Sequence, residues 1–223
     1  MVVNVHRDLI NEQVYEYIKD KIIYNEFKPN EKIDVTQLAQ TLKVSKTPVT
    51  TALSRLQRDG YVVILPQSGT FVRSHSIDEL KIIFKARASL ERTIVETYGE
   101  KYDIEKLKEI LNNFKALDNS TEGPEKVQEN LFALDLSFHA FLIKECDEII
   151  REKVENISDL TKHSRLQYFR MARDNETNIY RIKRNVTLHS NIIIALLEKD
   201  YQKAGSLVYE DIITTFDTVK NYA

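Results

Sequence analysis

Apolar residues recur at helical spacing along most of the chain, and in its first quarter they predict three short helices. The first covers about residues 8–24, and the apolar stripe expected to be buried there is Ile10, Val14, Tyr17, Ile18 and Ile22. The second begins after Asp34, and the third begins after Ser45. Ser45 is a good N-cap because its hydroxyl can accept an unpaired backbone N–H. The buried face expected for the third helix consists of Val49, Ala52, Leu53 and Leu56.

Two β-like runs, residues 61–66 and 70–73, follow the third helix and are joined by Gln67, Ser68 and Gly69. They predict a two-stranded hairpin. Helix, helix, tight turn, helix and hairpin together make a winged helix-turn-helix. The same pattern is compatible with a small α/β lobe that only packs against its neighbours.

Residues 73–78 are typical of a linker that ends in a helix cap, and helical periodicity dominates from there onward. The breaks in this periodicity predict about six further helices, with one break near residues 173–177. We therefore predict a mainly α protein with an N-terminal winged helix-turn-helix over residues 1–75. An all-α helical bundle of about six helices follows over residues 76–223.

Small hydroxyl groups and cations share the predicted solvent face of the third helix. They are Thr47, Thr50, Thr51, Ser54, Arg55 and Arg58, with Lys46 at the helix tip. Such groups suit the phosphates and base edges of a major groove. One recognition helix reads only about 3–5 base pairs, so we expect a homodimer on two half-sites of double-stranded operator DNA.

Composition narrows the class of protein. Charged residues make up 30% of the chain and hydrophobic residues 42%, as in a soluble globular protein. The sequence predicts neither a membrane span nor a signal peptide. Cys146 is the single cysteine, which favours a reducing cytoplasm. Residues 1–75 carry two more cations than anions and the remainder four more anions than cations, which points weakly to nucleic acid for the first part.

Four ionisable residues occupy positions where the helical pattern calls for apolar ones: Asp135, His139, His189 and Asp211. Asp135 and His139 are four residues apart and share one helix face. Two imidazoles and two carboxylates that met in the core would suit a divalent transition metal such as Zn, Ni or Mn. Each residue also has an ordinary alternative, since pairs of this spacing are common on helix surfaces and a histidine on an apolar face is often a hydrogen-bonded core residue.

Arg87 and Glu91 lie on the stripe of apolar residues in the helix that follows the linker. An arginine that faces the interior needs a carboxylate. That carboxylate is either Glu91, one turn along the helix, or an acidic metabolite gripped bidentately by the guanidinium group. Arg165 is a second effector-binding candidate.

Residues 14–72 resemble the DNA-binding domain of GntR-type bacterial transcription regulators. The resemblance rests on Leu38-Ala39, Val44-Ser-Lys-Thr-Pro-Val49, Ala52-Leu53, Leu56, Asp59-Gly60 and Gly69-Thr-Phe-Val72. The family usually has arginine at the positions of Lys46 and Thr50. Lys46 keeps the charge without the guanidinium fork, and Thr50 has no charge.

The resemblance implies which residues contact DNA. On the recognition helix they are Lys46, Thr47 and Thr50. Further contacts are expected from Thr36 near the start of the second helix and from Ser68 and Gly69 at the wing tip.

The second half resembles the helical FCD domain of the FadR subfamily of these regulators. The matching pieces are Arg87-Ala-Ser-Leu-Glu91, Asp135-Leu-Ser-Phe-His139, the stretch from His189 to Asp200, and Ala204. In metal-binding members an aspartate and three histidines hold a divalent ion. Asp135, His139 and His189 match three of these ligands, while Asp211 stands where a histidine is expected. The resemblance also implies a small organic acid as effector.

The leading interpretation is therefore a transcription regulator whose affinity for operator DNA is modulated by a small carboxylate metabolite. The second domain would bind the effector and dimerise. A metal-dependent enzyme that uses the aspartate and histidine cluster is one alternative. A DNA-binding dimer without an effector is another.

Overall fold

Three helices and a small sheet make up the first of the two units into which the chain divides, Met1–Ser76 and Ile77–Ala223. The computed structural model describes residues 5–170 and 175–220. The elements of the first unit are α1 (Val5–Ile23), β1 (Lys32–Ile33), α2 (Val35–Leu42), α3 (Lys46–Arg58), β2 (Val62–Leu65) and β3 (Gly69–Val72). The predicted winged helix-turn-helix is confirmed.

Caps define the turn between α2 and α3. Asp34 accepts hydrogen bonds from the backbone N–H groups of Thr36 and Gln37 at 2.8 and 3.0 Å, as its N-cap position predicts. Ser45 precedes α3, but its hydroxyl makes no capping hydrogen bond, so that part of the prediction is wrong. The third residue of α3 is Pro48, which has no N–H to donate to a cap.

The wing contains three strands rather than the two predicted from the sequence. The antiparallel order is β1-β3-β2, with Lys32 opposite Phe71 and Val62 opposite Val72. The extra strand β1 is only two residues long, the exposed Lys32 and the buried Ile33, which is too short for a strand pattern to be recognised in the sequence. Its pairing with β3 depends on chain segments far apart in sequence.

Helix α1 packs on α3 through a face that differs from the predicted one. Val14 and Ile18 are buried as expected, but Ile10 is exposed and Tyr15 is buried instead. The Tyr15 hydroxyl donates to Asp59 Oδ2 at 2.8 Å, and the Arg55 guanidinium lies 3.9 Å from the Tyr15 ring centroid. These polar contacts direct Tyr15 inward, which an apolar pattern does not predict.

Six α-helices form the described part of the second unit and confirm the helical bundle. They are α4 (Ile77–Tyr98), α5 (Ile104–Asp118), α6 (Pro124–Ile143), α7 (Glu148–Arg170), α8 (Asn175–Leu197) and α9 (Tyr201–Val219). A short 3-10 turn, Gly99–Lys101, follows α4. The break predicted near residues 173–177 lies partly outside the described residues.

The last helix approaches α4 closely at Gly205. A Cβ atom placed there would lie 2.7 Å from Glu96 Cγ and 3.1 Å from the carbonyl oxygen of Arg92. The bundle interior is largely apolar and includes Phe84, Phe114 and Phe138. Polar side chains from α4, α6, α7, α8 and α9 enter the same interior, and they form the site described next.

None of the described helices combines the length and apolar character that a membrane crossing requires.

Candidate metal centre and nucleic-acid interface

The structure brings together the four ionisable residues that the sequence pattern singled out. Asp135 and His139 lie one turn apart on α6, His189 lies on α8 and Asp211 on α9. Each is at most 5% exposed. One potential ligand atom from each side chain lies within 4.8 Å of the other three. Three helices thus present two imidazoles and two carboxylates to one buried point.

The spacing of these ligand atoms matches that around a single ion. His139 Nε2 lies 3.2 Å from Asp211 Oδ2 and 3.6 Å from Asp135 Oδ1. His189 Nε2 lies 3.2 Å from Asp135 Oδ1 and 3.9 Å from Asp211 Oδ2. Atoms held at about 2.0–2.2 Å from one metal lie about 3–3.5 Å apart when adjacent. The four side chains therefore need only small shifts to share an ion.

Hydrogen bonds at the outer ring nitrogens orient both imidazoles. His139 Nδ1 lies 2.5 Å from Glu91 Oε2, and His189 Nδ1 lies 2.8 Å from the carbonyl oxygen of Asn185. The ring of Phe114 stacks on His189 with centroids 4.6 Å apart. Acceptors at Nδ1 leave the Nε2 lone pairs directed at the centre, which is how proteins prepare histidine ligands. His189 Nε2 is buried, and within the described part of the chain it has the carboxylate of Asp135 nearby but forms no well-aligned hydrogen bond.

The two candidate effector-binding arginines are buried beside this centre, and each forms an ion pair. Arg87 Nε donates to Glu91 Oε1 at 2.6 Å, and Arg87 Nη1 donates to Thr161 Oγ1 at 3.3 Å. Arg165 Nη2 donates to Asp135 Oδ2. The ion pair between Arg87 and Glu91, left open by the sequence, is therefore present. Arg87 Nη2 and Arg165 Nη1 are nevertheless buried without a hydrogen-bond partner.

Ion pairs keep the buried carboxylates charged. Burial alone raises the pKa of Asp135, but the Arg165 guanidinium and the neighbouring imidazoles outweigh it and hold that pKa well below its usual range. Burial likewise opposes ionisation of Glu91, yet Arg87 and His139 lower its pKa to about 2. Both groups are therefore anionic at neutral pH.

The carboxylates in turn favour protonated imidazoles when no metal is bound. Burial lowers the pKa of His189, but Asp211 and Asp135 outweigh it and raise that pKa to about 9. Glu91 has the same effect on His139, raising its pKa against burial. A proton and a metal ion therefore compete for the same nitrogens.

Sequence patterns missed several members of this site. Thr161 is a small polar residue within α7, and its hydroxyl accepts from Arg87 on another helix. Asn185 contributes only its backbone carbonyl oxygen, to His189 one turn along α8, so its side chain gives no signal. Glu91 was identified only as a partner for Arg87, whereas it also bonds His139. The position of Glu91 on the buried stripe of α4 was the feature of the sequence that could have indicated this second contact.

The candidate DNA-reading face of α3 is exposed, with one correction to its membership. Lys46, Thr47 and Thr50 are exposed, while the Thr50 hydroxyl donates to the carbonyl oxygen of Lys46 at 2.9 Å. That hydroxyl therefore has its proton engaged and offers an acceptor. Arg55 does not belong to the free face, because it donates to Glu12 Oε2 at 2.5 Å and stacks on α1.

The remaining predicted DNA contacts lie at the start of α2 and at the wing tip. Thr36 is exposed one residue after the start of α2, and Ser68 is exposed in the turn before β3. Gly69 has φ +115°, and a Cβ there would meet Lys32 Cε at 2.9 Å. Lys32 is thus a cation beside the wing tip that the sequence did not identify, because β1 was not predicted.

Comparison with protein families identifies both units. The family described as bacterial regulatory proteins, gntR family, matches residues 10–72, and the FCD domain matches residues 82–213. The transcriptional regulator YdhC of Bacillus subtilis is 30% identical over 159 residues, covering 69% of each chain. The transcriptional repressor GlaR of Escherichia coli is 25% identical over 213 residues, covering 92% of this chain and 94% of GlaR.

Solved structures share the fold across the whole chain. Escherichia coli McbR/YncC superposes with a TM-score of 0.74 at 19% identity and covers 99% of both chains. A GntR regulator from Rhodococcus sp. RHA1 gives a TM-score of 0.71 at 18% identity, covering 96% of this chain and 98% of that one.

Proposed function

The chain belongs to the GntR family of bacterial regulatory proteins and carries an FCD domain, and from this premise we propose that a divalent metal ion and an organic acid together control its binding to operator DNA. It is a DNA-binding transcription regulator of the GntR type. The observation that carries the proposal is the buried ring of four ligand atoms within 4.8 Å of one another.

The donor set fits a divalent transition metal. Asp135, His139, His189 and Asp211 would hold the ion through two nitrogens and two carboxylate oxygens, which suits Zn, Ni or Mn. The position of His189 supports this assignment, because its buried Nε2 lies near two carboxylate oxygens without forming a well-aligned hydrogen bond to either. A bound ion would supply positive charge that attracts a carboxylate effector. Arg87 and Arg165 are the proposed effector contacts, since each has an unpartnered buried N–H group.

DNA recognition is assigned to the exposed groups of the first unit. Lys46 would contact phosphate, while Thr47 and Thr50 would reach base edges or neighbouring phosphates. Thr36, Ser68 and Gly69 would add backbone contacts on either side. Two copies of α3 are needed for useful selectivity, so the proposed working form is a homodimer.

We favour regulation over catalysis for the buried centre. Relatives that match over most of this chain are named as transcriptional regulators, and GlaR is named as a repressor. We extend that role to this chain and propose that it represses transcription in the cytoplasm until its effector binds. An effector changes operator affinity only through its different affinities for the two states, typically 5–150-fold.

Metal analysis and operator titration test this function directly. Purified protein should carry about one divalent ion per chain, and His189→Gln should lose it. His163→Gln is the matched control, because His163 is outside the four-residue cluster. A metal content that is equally low in wild type and both variants after reconstitution would remove the metal from the proposal.

The DNA-binding experiment uses operator sequences selected from a random pool. We expect tight binding at fixed salt that falls when metal and an effective small carboxylate are added together. Operator affinity that stays constant across carboxylates shown to bind would remove the regulatory coupling. DNA binding itself would stand.

A further inference from the structure

We infer that the effector of this centre carries a single negative charge, so that it is a small monocarboxylate rather than a dicarboxylate. The inference rests on the proposed function and follows from the charges enclosed by the second unit. Buried charges must be balanced nearby, because an uncompensated ion in a low-dielectric interior is costly.

The charges around the centre can be counted among the described residues. Three buried carboxylates belong to it, Glu91, Asp135 and Asp211, and two buried guanidinium groups, Arg87 and Arg165. These groups leave one net negative charge when both imidazoles are neutral, as metal binding requires. A divalent ion converts this to one net positive charge. Binding of one monoanion makes the centre neutral, whereas binding of a dianion leaves it with one net negative charge.

Unpartnered donors show where that anion can be held. Arg87 Nη2 and Arg165 Nη1 are buried and lack acceptors, although each guanidinium group is already paired through other nitrogens. Both arginines are at most 2% exposed. Their remaining N–H groups require oxygen acceptors that the described protein groups do not supply. A carboxylate offers acceptor oxygens of the kind these N–H groups lack, together with a single negative charge.

Asp211 sets the size of this net positive charge. Asp211 is 4% exposed and its Oδ2 lies 3.2 Å from His139 Nε2, so its charge acts on the centre with little screening by solvent. Replacing it with a neutral group leaves the metal-loaded centre with two net positive charges. Such a centre should favour a dianion. The discrimination between effectors of different charge is therefore a property of this side chain.

The test uses acids that differ in charge and hardly at all in shape. Malonate and malonamate form one pair, and succinate and succinamate form another. Each pair replaces a carboxylate with an amide of the same size. Full-length protein loaded with one equivalent of Mn²⁺ or Ni²⁺ is titrated calorimetrically with each compound, and titrations into the metal alone correct for chelation.

In wild type the monoanion of at least one pair should bind more tightly than its dianion, by about tenfold or more. Asp211→His, which removes the charge and keeps a ligand, should shift the affinity ratio toward the dianion by a similar factor. Asp211→Asn serves as a second variant, and Asp217→Asn, an exposed aspartate on the same helix, is the matched control.

Tighter binding of the dianions by wild type overturns the inference. So does a failure of all four acids, and of lactate and pyruvate, to bind protein that demonstrably holds the metal. In either case the metal content and operator binding still test the proposed function separately. An affinity ratio unchanged in a folded Asp211→His variant removes Asp211 from the explanation and overturns the charge argument with it.

Discussion

The two units place their candidate functional side chains in opposite environments. In the first unit, Lys46, Thr47 and Thr50 are exposed on a helix whose other face forms the core. In the second, Arg87, Asp135 and their partners are buried within the bundle. The proposed functional roles and the stability of the fold therefore rest on different residues in the DNA-reading unit and on the same residues in the helical unit. Substitutions that separate the two properties in one unit should fail to do so in the other.

The largest effect should come from breaking one buried ion pair. Arg165→Met removes the guanidinium group from Asp135 and leaves that carboxylate buried beside Asp211. We expect the free energy of unfolding of the second unit to fall by about 3–5 kcal/mol. Calorimetry of the metal-free protein measures this, with the exposed Lys46→Met as control. A loss below about 1 kcal/mol would mean that the helical unit tolerates change as the first unit does.

The next largest effect should be the pH dependence of the free energy of unfolding of the metal-free protein. The pKa of His189 is raised to about 9 in the folded state, so protonation of His189 stabilises the fold. This contribution to the free energy of unfolding is fully present below the ordinary histidine pKa near 6.5. That contribution, about 3 kcal/mol, should be lost as the pH rises from about 6.5 to 9. Metal affinity should change in the opposite direction, since metal binding displaces the proton.

Melting temperatures in a chelator across this pH range measure the effect. His189→Asn should make the slope shallower and leave the part contributed by His139, whereas variants of α3 should leave the whole slope in place. A flat profile in wild type would contradict the charged network described above.

The same contrast explains what the sequence could and could not predict. Local patterns predicted α2, α3 and the hairpin, because caps and apolar spacing are properties of neighbouring residues. They also identified Asp135, His139, His189 and Asp211, because each interrupts an apolar stripe. Strand β1, by contrast, depends on pairing across about 40 residues. The double role of Glu91 and the pairing of Arg165 with Asp135 arise where helices meet, and no local pattern encodes them.

In the first unit, loss of function without loss of stability is expected from Lys46→Ala. Operator affinity should fall about fivefold for all sequences, because a phosphate contact is removed. The slope of log affinity against log salt should drop by about one. The free energy of unfolding of the first unit should change by less than about 0.5 kcal/mol. Fluorescence anisotropy and calorimetry measure both, and Lys108→Ala in the second unit is the matched surface control.

The smallest effect concerns the cap that orders the first unit. Asp34→Ala removes the acceptor for two backbone N–H groups at the start of α2. The melting temperature of the first unit should fall by about 2–4 °C, and Asp34→Ser should restore most of it. Equal melting temperatures for the alanine and serine variants would show that the cap contributes little.

The position of Asp211 on α9 has a consequence for protein synthesis. A ribosome adds about 5–20 residues per second and domains fold as they emerge, so the winged unit is complete on the order of ten seconds before α9 is made. Until α9 docks beside α4, the proposed metal centre lacks Asp211, one of its four candidate ligands. Each newly made chain therefore passes through a period in which its winged unit is folded while the proposed metal and effector centre is still incomplete.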